Sequence, residues 1–322
     1  MNKQPFVLAL TDAADPQSDP QLRMLAELPH CFANSVEDLG GPAANAEVVL
    51  HWAGPRDLLH AAFLAGRNIR WVHSRSAGLD RVLFPELVDS AVALTNGSGV
   101  FSPSLGEFAL AAILYFAKDF RRMLRNQEAS RWEQFDVEEI AGQTVGIVGY
   151  GDIGRAVASR AHAMGMKVLA LKRHPPGSPD PLIDRFYASS ELHAMLAACD
   201  FVVVSAPLTQ ETHHMIADAA FAAMKPSAVV INIGRGPVID QAALVRALTE
   251  KKIKGAALDV FEQEPIPAGD AIWKLENVFV SPHCADHTKD WLDQAMRFFL
   301  KQYECFASGQ PLKNVVDKHL GY

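Results

Sequence analysis

Three ionisable side chains follow predicted strands in the second half of this sequence: Arg235 in NIGRG, Glu264 in DVFEQEP and His283 in SPHCA. Ligands of open α/β sheets bind beyond the carboxyl ends of the strands, so we expect the three to converge in one crevice. An arginine can hold a carboxylate through two hydrogen bonds, and an imidazole with a pKa near ~6.5 can exchange a proton. A neighbouring carboxylate orients the imidazole and stabilises its charged form. These three kinds of side chain suit hydride transfer to a 2-oxo acid, and we expect Arg235 and His283 to bind the substrate.

A glycine-rich sequence, GYGDIG, follows the predicted strand TVGIV and begins a helix. It fits G-x-G-x-x-G, in which the glycines permit a tight turn, close approach of a pyrophosphate and close helix packing. In this strand–helix context the pattern predicts a dinucleotide site. Its members are Gly149, Tyr150, Gly151, Asp152, Ile153 and Gly154.

The next predicted strand ends in LKRH, where an NAD site usually has an acidic residue for the ribose hydroxyls. Lys172 and Arg173 stand there instead, and both can pair with a 2′-phosphate. We therefore expect NADP(H) to be preferred and NAD(H) to be possible.

Short apolar runs alternate with helical patterns along the whole chain, which is typical of parallel strands joined by crossover helices. The first part contains four such runs, and residues from Gly142 onward contain six. A long helix is predicted from Ser102 to about Gln127, and an amphipathic one from Lys289 to Phe306. The fold class is α/β, with a doubly wound parallel sheet of the Rossmann type.

The composition excludes several classes of protein. The chain has 322 residues, 30 Lys+Arg against 37 Asp+Glu, a net charge of −7 and no basic run, so we expect neither nucleic acid nor membrane as a partner. Its longest apolar run is too short for a bilayer crossing, which needs ~20 residues. Four scattered cysteines and the lack of a signal peptide predict a cytoplasmic protein.

Several motifs, in order, resemble the D-isomer-specific 2-hydroxyacid dehydrogenases, in particular glyoxylate/hydroxypyruvate reductases. The matching stretches are SAGLD from Ser76, the glycine loop, APLT from Ala206, NIGRG, ALDVFEQEP from Ala257, and SPH. The resemblance implies that Arg235, Glu264 and His283 are catalytic and that the amides of Ala77 and Gly78 bind the substrate carboxylate. It implies further cofactor contacts at Ala206, Pro207, Thr212, Ile233, Gly234 and Asp259.

The same resemblance implies a nested architecture and a homodimer formed mainly by the cofactor domains. Residues 1–98 and 288–322 would form a smaller flavodoxin-like substrate domain, into which a cofactor domain of residues 99–287 is inserted. The expected substrate is a small 2-oxo or 2-hydroxy acid, with glyoxylate or hydroxypyruvate as first candidates. Two alternatives stay open: a 3-phosphoglycerate dehydrogenase, and a non-catalytic corepressor scaffold that senses NAD(H).

The chain departs from the family pattern after the histidine, where Cys284, Asp286 and His287 replace smaller or apolar residues. These residues place a thiol, a carboxylate and a second imidazole near the expected site. They do not predict a metal site, because Pro282 opposes the helix that would place both imidazoles on one face.

Overall fold

The protein was analysed as a computed structural model that describes residues 4–174 and 178–322. The chain divides into two compact units, one made of Met1–Phe101 with Lys289–Tyr322 and the other of Ser102–Thr288. Each unit is built on one parallel sheet. In the described residues no helix is both long enough and apolar enough to cross a bilayer.

The first unit contains a five-stranded parallel sheet with the order β2-β1-β3-β4-β5, which is the flavodoxin-like order. Its strands are β1 (Val7–Leu10), β2 (His30–Ala33), β3 (Val48–His51), β4 (Trp71–Ser74) and β5 (Ala93–Thr95), and its first helices are α1 (Arg56–Ala65) and α2 (Pro85–Val88). The sequence pattern missed β2. This edge strand is only half-buried along most of its length, so it lacks the continuous apolar run that marks the other strands.

The second unit contains a seven-stranded parallel sheet with the order β12-β11-β10-β9-β6-β7-β8. Its strands are β6 (Thr144–Val148), β7 (Lys167–Leu171), β8 (Arg185–Tyr187), β9 (Phe201–Val204), β10 (Val229–Asn232), β11 (Gly255–Leu258) and β12 (Val278–Val280). Central strands such as β9 and β10 are buried at every position, as expected of a sheet covered on both faces. The expected doubly wound α/β fold is confirmed, but the count of six strands was wrong. β8 is a three-residue edge strand that begins with an exposed arginine, too short to form a pattern.

The predicted long helix is two helices, α3 (Ser102–Ala117) and α4 (Phe120–Glu128). The break occurs because Asp119 has a left-handed backbone, with φ of 50°, and its carboxylate accepts a hydrogen bond from the Arg122 amide. Asp119 thus caps the second helix. The other helices of this unit are α5 (Asp152–Ala163), α6 (Leu192–Ala198), α7 (Asp218–Ala223) and α8 (Gln241–Thr249).

The last helix, α9 (Trp291–Ala307), belongs to the first unit. Phe299 stacks on Trp71 of β4 with ring centroids 5.4 Å apart, and the Tyr303 hydroxyl donates a 2.7 Å hydrogen bond to the Pro5 carbonyl. Both ends of the chain therefore contribute to one core.

Beyond α9, Lys318 ties the carboxyl-terminal segment to the end of α2. Its ammonium donates hydrogen bonds of 2.9, 2.7 and 2.9 Å to the carbonyls of Leu87, Ser90 and Val92. Leu87 lies in the last turn of α2, and a cation near a helix carboxyl end is favourable. Burial lowers the pKa of Lys318, so the three carbonyl bonds compensate a real desolvation cost.

We expect Lys318→Met to destabilise the first unit by about 2 kcal/mol, because three partly buried carbonyls lose a charged donor. Urea unfolding followed by tryptophan fluorescence, to which Trp52, Trp71 and Trp291 of the first unit contribute, measures this. Lys313→Met, at an exposed position of the same segment, is the control. Equal stability of the two variants would contradict the role given to Lys318.

Candidate active site

One buried carboxylate organises the loop after β12. Asp259 is 1% exposed, and its Oδ1 accepts hydrogen bonds from the Ser281 hydroxyl at 2.6 Å and from the amides of Cys284 and Ala285 at 2.9 and 3.1 Å. These bonds fix the backbone on both sides of His283. The observed contacts of Asp259 are thus with this loop.

His283 itself has a left-handed backbone, with φ of 53°. A non-glycine residue adopts this conformation at a cost of order 1 kcal/mol and keeps it only where the surroundings impose it. The bonds to Asp259 provide that constraint. The resulting turn brings the imidazole to Glu264, whose Oε2 lies 2.8 Å from Nδ1.

Glu264 is held from its other oxygen, since Oε1 accepts a 2.9 Å hydrogen bond from the Phe261 amide. The carboxylate therefore contacts His283 in a defined orientation. With Nδ1 facing Glu264, the ring nitrogen Nε2 is the one available to exchange a proton with a ligand.

The electrostatics of the pair favour a charged imidazole. The hydrogen bond to Glu264 raises the pKa of His283 above its ordinary value, although burial and the charge of Arg235 oppose the increase. Burial alone would raise the pKa of Glu264, but the hydrogen bonds from His283 and Phe261 and the nearby positive charges lower it. The pair thus favours the protonated form of His283.

Arg235 follows β10 and begins a short 3-10 helix, with its Nη1 donating a 2.9 Å hydrogen bond to the Gly234 carbonyl. Its charge lowers the pKa of both His283 and Glu264, so it lies within electrostatic range of the pair. The structure therefore brings together the three residues that the sequence singled out. Together they offer a carboxylate-binding cation and a protonated acid.

The glycine loop after β6 leaves room where a pyrophosphate would bind. A Cβ on Gly149, whose φ is 94°, would lie 2.5 Å from Ala206 Cα, and one on Gly154 would lie 2.5 Å from the Gly149 carbonyl oxygen. A Cβ on Gly151 would meet nothing within 4 Å. The two outer glycines therefore serve packing, whereas the middle one keeps the amino end of α5 open for an anion. Dinucleotide phosphates fit this cradle.

The loop after β9 packs against the glycine loop. The Ser205 hydroxyl donates a 2.8 Å hydrogen bond to the Gly149 carbonyl. Further along, the Thr212 hydroxyl donates a 2.6 Å bond to the Pro207 carbonyl and accepts a 2.8 Å bond from the Thr209 amide. Ile233, after β10, is buried at 3% exposure and donates its amide to Val204 in the same sheet.

The two basic residues after β7 differ in their surroundings. Arg173 forms an ion pair with Glu211, whereas the Lys172 ammonium lies 5.9 Å from the centre of the Tyr150 ring. Lys172 therefore faces the glycine loop directly. Asp152 begins α5 and is exposed, and Ile153 follows it in the first turn.

In the first unit, Ala77 and Gly78 lie in the turn after β4. Asn96 donates a 2.7 Å hydrogen bond to the Ala77 carbonyl, and a Cβ on Gly97 would lie 2.2 Å from the Arg75 carbonyl oxygen. The turn is thus packed tightly against the segment after β5.

Sequence reasoning missed three side chains that the structure places at these sites. Ser281 anchors Asp259, while Asp180 and Arg155 form an ion pair near Tyr150. Ser281 lies in the SPH stretch but was not given a role there, and no motif marks the Arg155–Asp180 pair, because its two members are 25 residues apart in sequence. Across residues 4–174 and 178–322, no three His, Cys, Asp or Glu side chains are grouped so that they could hold a metal ion.

Comparison with known proteins decides the family. Residues 110–285 match the model of the D-isomer specific 2-hydroxyacid dehydrogenase NAD-binding domain. The chain belongs to that family. It is an NAD(P)-dependent oxidoreductase that acts on 2-hydroxy and 2-oxo acids.

Individual relatives extend the match beyond this domain. A glyoxylate reductase of Korarchaeum cryptofilum is 33% identical over 80% of this chain and 79% of its own length. A glyoxylate/hydroxypyruvate reductase B of Citrobacter koseri is 33% identical over 83% of each chain. Among solved structures, a D-isomer specific 2-hydroxyacid dehydrogenase of Xanthobacter autotrophicus in complex with NADPH is 30% identical, with a TM-score of 0.85 over 99% of this chain and 100% of its own.

We expect Glu264→Gln in this dehydrogenase to move the descending limb of the pH profile for 2-oxo acid reduction to lower pH. Glutamine keeps a hydrogen-bond acceptor but loses the charge that raises the pKa of His283, so the acid form is lost at a lower pH. The measurement is kcat/KM for reduction between about pH 5 and 9, the range in which a histidine titrates.

Glu262→Gln is the matched control, because Glu262 contacts His214 at the same 2.8 Å distance. If the descending limb of the pH profile is unchanged in Glu264→Gln, or shifts equally in both variants, the contact with Glu264 does not set the pKa of His283.

Proposed function

We propose that the protein is an NADPH-preferring reductase of small 2-oxo acids, with glyoxylate or hydroxypyruvate as substrate. The observation that carries this is the 2.8 Å contact of His283 with Glu264 beside Arg235, an acid and a carboxylate-binding cation in one place. The names of the Korarchaeum and Citrobacter relatives support the choice of substrate.

In the proposed reaction Arg235 binds the substrate carboxylate and orients the neighbouring carbonyl. His283 Nε2–H donates its proton to the carbonyl oxygen, while Glu264 stabilises the imidazolium before the transfer. The glycine loop with Lys172 would hold NADPH, which when bound would supply the hydride for the carbonyl carbon. The product is a 2-hydroxy acid, and in the oxidative direction the neutral His283 accepts the hydroxyl proton.

The preference for NADPH rests on Lys172 and Arg173, which follow β7 at the position where an NAD site usually has an acidic residue, although Arg173 pairs with Glu211. A glyoxylate/hydroxypyruvate reductase of Sinorhizobium meliloti, 26% identical with a TM-score of 0.85 over 99% of this chain and 100% of its own, is described as NADPH-dependent and was solved with NADP. The proposed cofactor contacts from other loops are Ala206, Pro207, Thr212, Ile233, Gly234 and Asp259.

We assign cofactor binding to the second unit, which contains the glycine loop and the matched family domain. The first unit would be the substrate domain, with the amides of Ala77 and Gly78 binding the carboxylate. This last assignment rests on the SAGLD motif alone.

A homodimer is proposed from an exposed apolar surface in the second unit. Its residues, here named the α4 surface, are Phe120, Met123, Leu124, Trp132 and Val137, and Trp132 is 95% exposed. Residues 131–140 form neither helix nor strand, and a long irregular segment that exposes a tryptophan is typical of an interaction surface. The cytoplasm is the proposed location, because all four cysteines are free.

The decisive experiment is reduction of a series of 2-oxo acids of increasing size, followed at 340 nm with NADPH and with NADH. We expect turnover of the smallest acids, higher kcat/KM with NADPH, and a loss of ~10²–10⁴-fold in His283→Ala. His193→Ala, at an exposed position of α6, serves as control. Absence of turnover with both cofactors would refute the proposed activity.

We expect Leu124→Asp combined with Trp132→Asp to convert a dimer into a monomer with the chain mass of 35.1 kDa, because two charges would be placed in an apolar interface. Light scattering after size exclusion measures the mass. Val36→Asp, at a 56% exposed position of the first unit, should remain dimeric. A monomeric wild-type protein would contradict the proposal.

A further inference from the structure

An open pocket of about 420 Å³ lies beside the glycine loop. Gly151 and Asp152 line it from the start of α5, Lys172 from the end of β7, and Asp180 from the segment that follows. In a dinucleotide-binding fold, the adenosine ribose lies between the first strand–helix turn and the end of the second strand. The substituent at the ribose 2′ position would therefore meet the side chains of this pocket.

Asp180 is one of two carboxylates that line this pocket, and unlike the exposed Asp152 it is held firmly. Its Oδ2 accepts a 2.8 Å hydrogen bond from the Tyr150 hydroxyl and pairs with the Arg155 guanidinium. Its Oδ1 accepts a 3.1 Å hydrogen bond from the Leu182 amide. The Asp180 side chain is only 14% exposed, so the carboxylate stays at the pocket wall.

The charges in the pocket oppose one another. Burial alone would raise the pKa of Asp180, but the hydrogen bonds from Leu182, Tyr150 and Arg155 lower it, so the group stays ionised. It neutralises Arg155, which lines the same pocket. In the described part of the chain no carboxylate pairs with Lys172, which leaves its charge for a ligand.

We propose that Asp180 sets the discrimination between NADH and NADPH in this enzyme. A carboxylate accepts hydrogen bonds from ribose hydroxyls, which is the function of the acidic residue that the end of β7 lacks. The same carboxylate repels a 2′-phosphate and competes with it for Arg155. Asp180 thus favours NADH, whereas Lys172 and Arg173 favour NADPH. The inference rests on the cofactor site assigned under the proposed function.

The test is Asp180→Asn in the full-length protein, which keeps the acceptor for Leu182 and removes the charge. The probes are adenosine 2′,5′-bisphosphate and adenosine 5′-diphosphate, titrated by calorimetry without any 2-oxo acid. We expect the bisphosphate to bind about tenfold more tightly, equivalent to ~1.4 kcal/mol, and the diphosphate to bind no more tightly than before. The ratio of kcat/KM for NADPH to that for NADH should rise by a similar factor.

Asp218→Asn is the matched control, because it removes an arginine-paired carboxylate elsewhere in the unit, 2.7 Å from Arg246. If Asp218→Asn binds the bisphosphate more tightly by the same factor, the effect is one of net charge and the proposal is overturned. The proposal is also overturned if Asp180→Asn changes the affinity for both probes equally. Arg155→Gln should have the opposite effect: it should weaken binding of the bisphosphate and leave binding of the diphosphate unchanged. It keeps the proposal falsifiable should Asp180→Asn not fold.

Because the probes are nucleotides alone, their binding is independent of the substrate assignment. If the probes bind as expected but no 2-oxo acid is reduced, the proposed activity is refuted and the role of Asp180 stands. If glyoxylate is reduced but Asp180→Asn leaves the affinity for both probes unchanged, the proposed activity stands and the role of Asp180 is refuted.

Discussion

The hydrogen bonds to one oxygen of Asp259 hold the acid–base pair in place. They join the end of β11 to the loop after β12, and they stabilise a backbone at His283 that would otherwise be unfavourable. With that backbone the imidazole presents Nδ1 to Glu264 and leaves Nε2 for the proposed proton transfer. The position of the His283–Glu264 pair therefore depends on the carboxyl edge of the sheet, to which the buried Asp259 carboxylate binds the loop of His283.

The strands and the three reactive residues were predictable because each leaves a local signal. β6 was predicted at its observed bounds as TVGIV, since this mostly apolar run directly precedes the glycine loop. The edge strands β2 and β8 left no such signal, because strands with one open side need not be apolar. The break before α4 depends on the left-handed backbone of Asp119, and helix propensity does not predict this conformation.

The roles of residues within the site were less predictable than their presence. Asp259 was identified from its motif as a cofactor contact, but its observed partners are Ser281 and two amides of the following loop. At the adenosine end, reasoning from LKRH recognised only cations. Asp180 reaches the same pocket from outside that motif and changes the balance of charge. Spacing patterns report residues on consecutive elements, whereas electrostatic balance depends on all side chains that the fold brings together.

The contribution of both chain ends to the first unit has a consequence for biosynthesis. The second unit is one continuous segment, so it has all its strands once residue 288 has left the ribosome. The first unit still lacks Phe299 and Tyr303, which cover Trp71 and bind Pro5, and its early strands must wait for them. Chains generally fold domain by domain from the amino terminus. Here the inserted domain can complete its fold first, and the amino-terminal sheet is the last part of the molecule to bury its apolar surface.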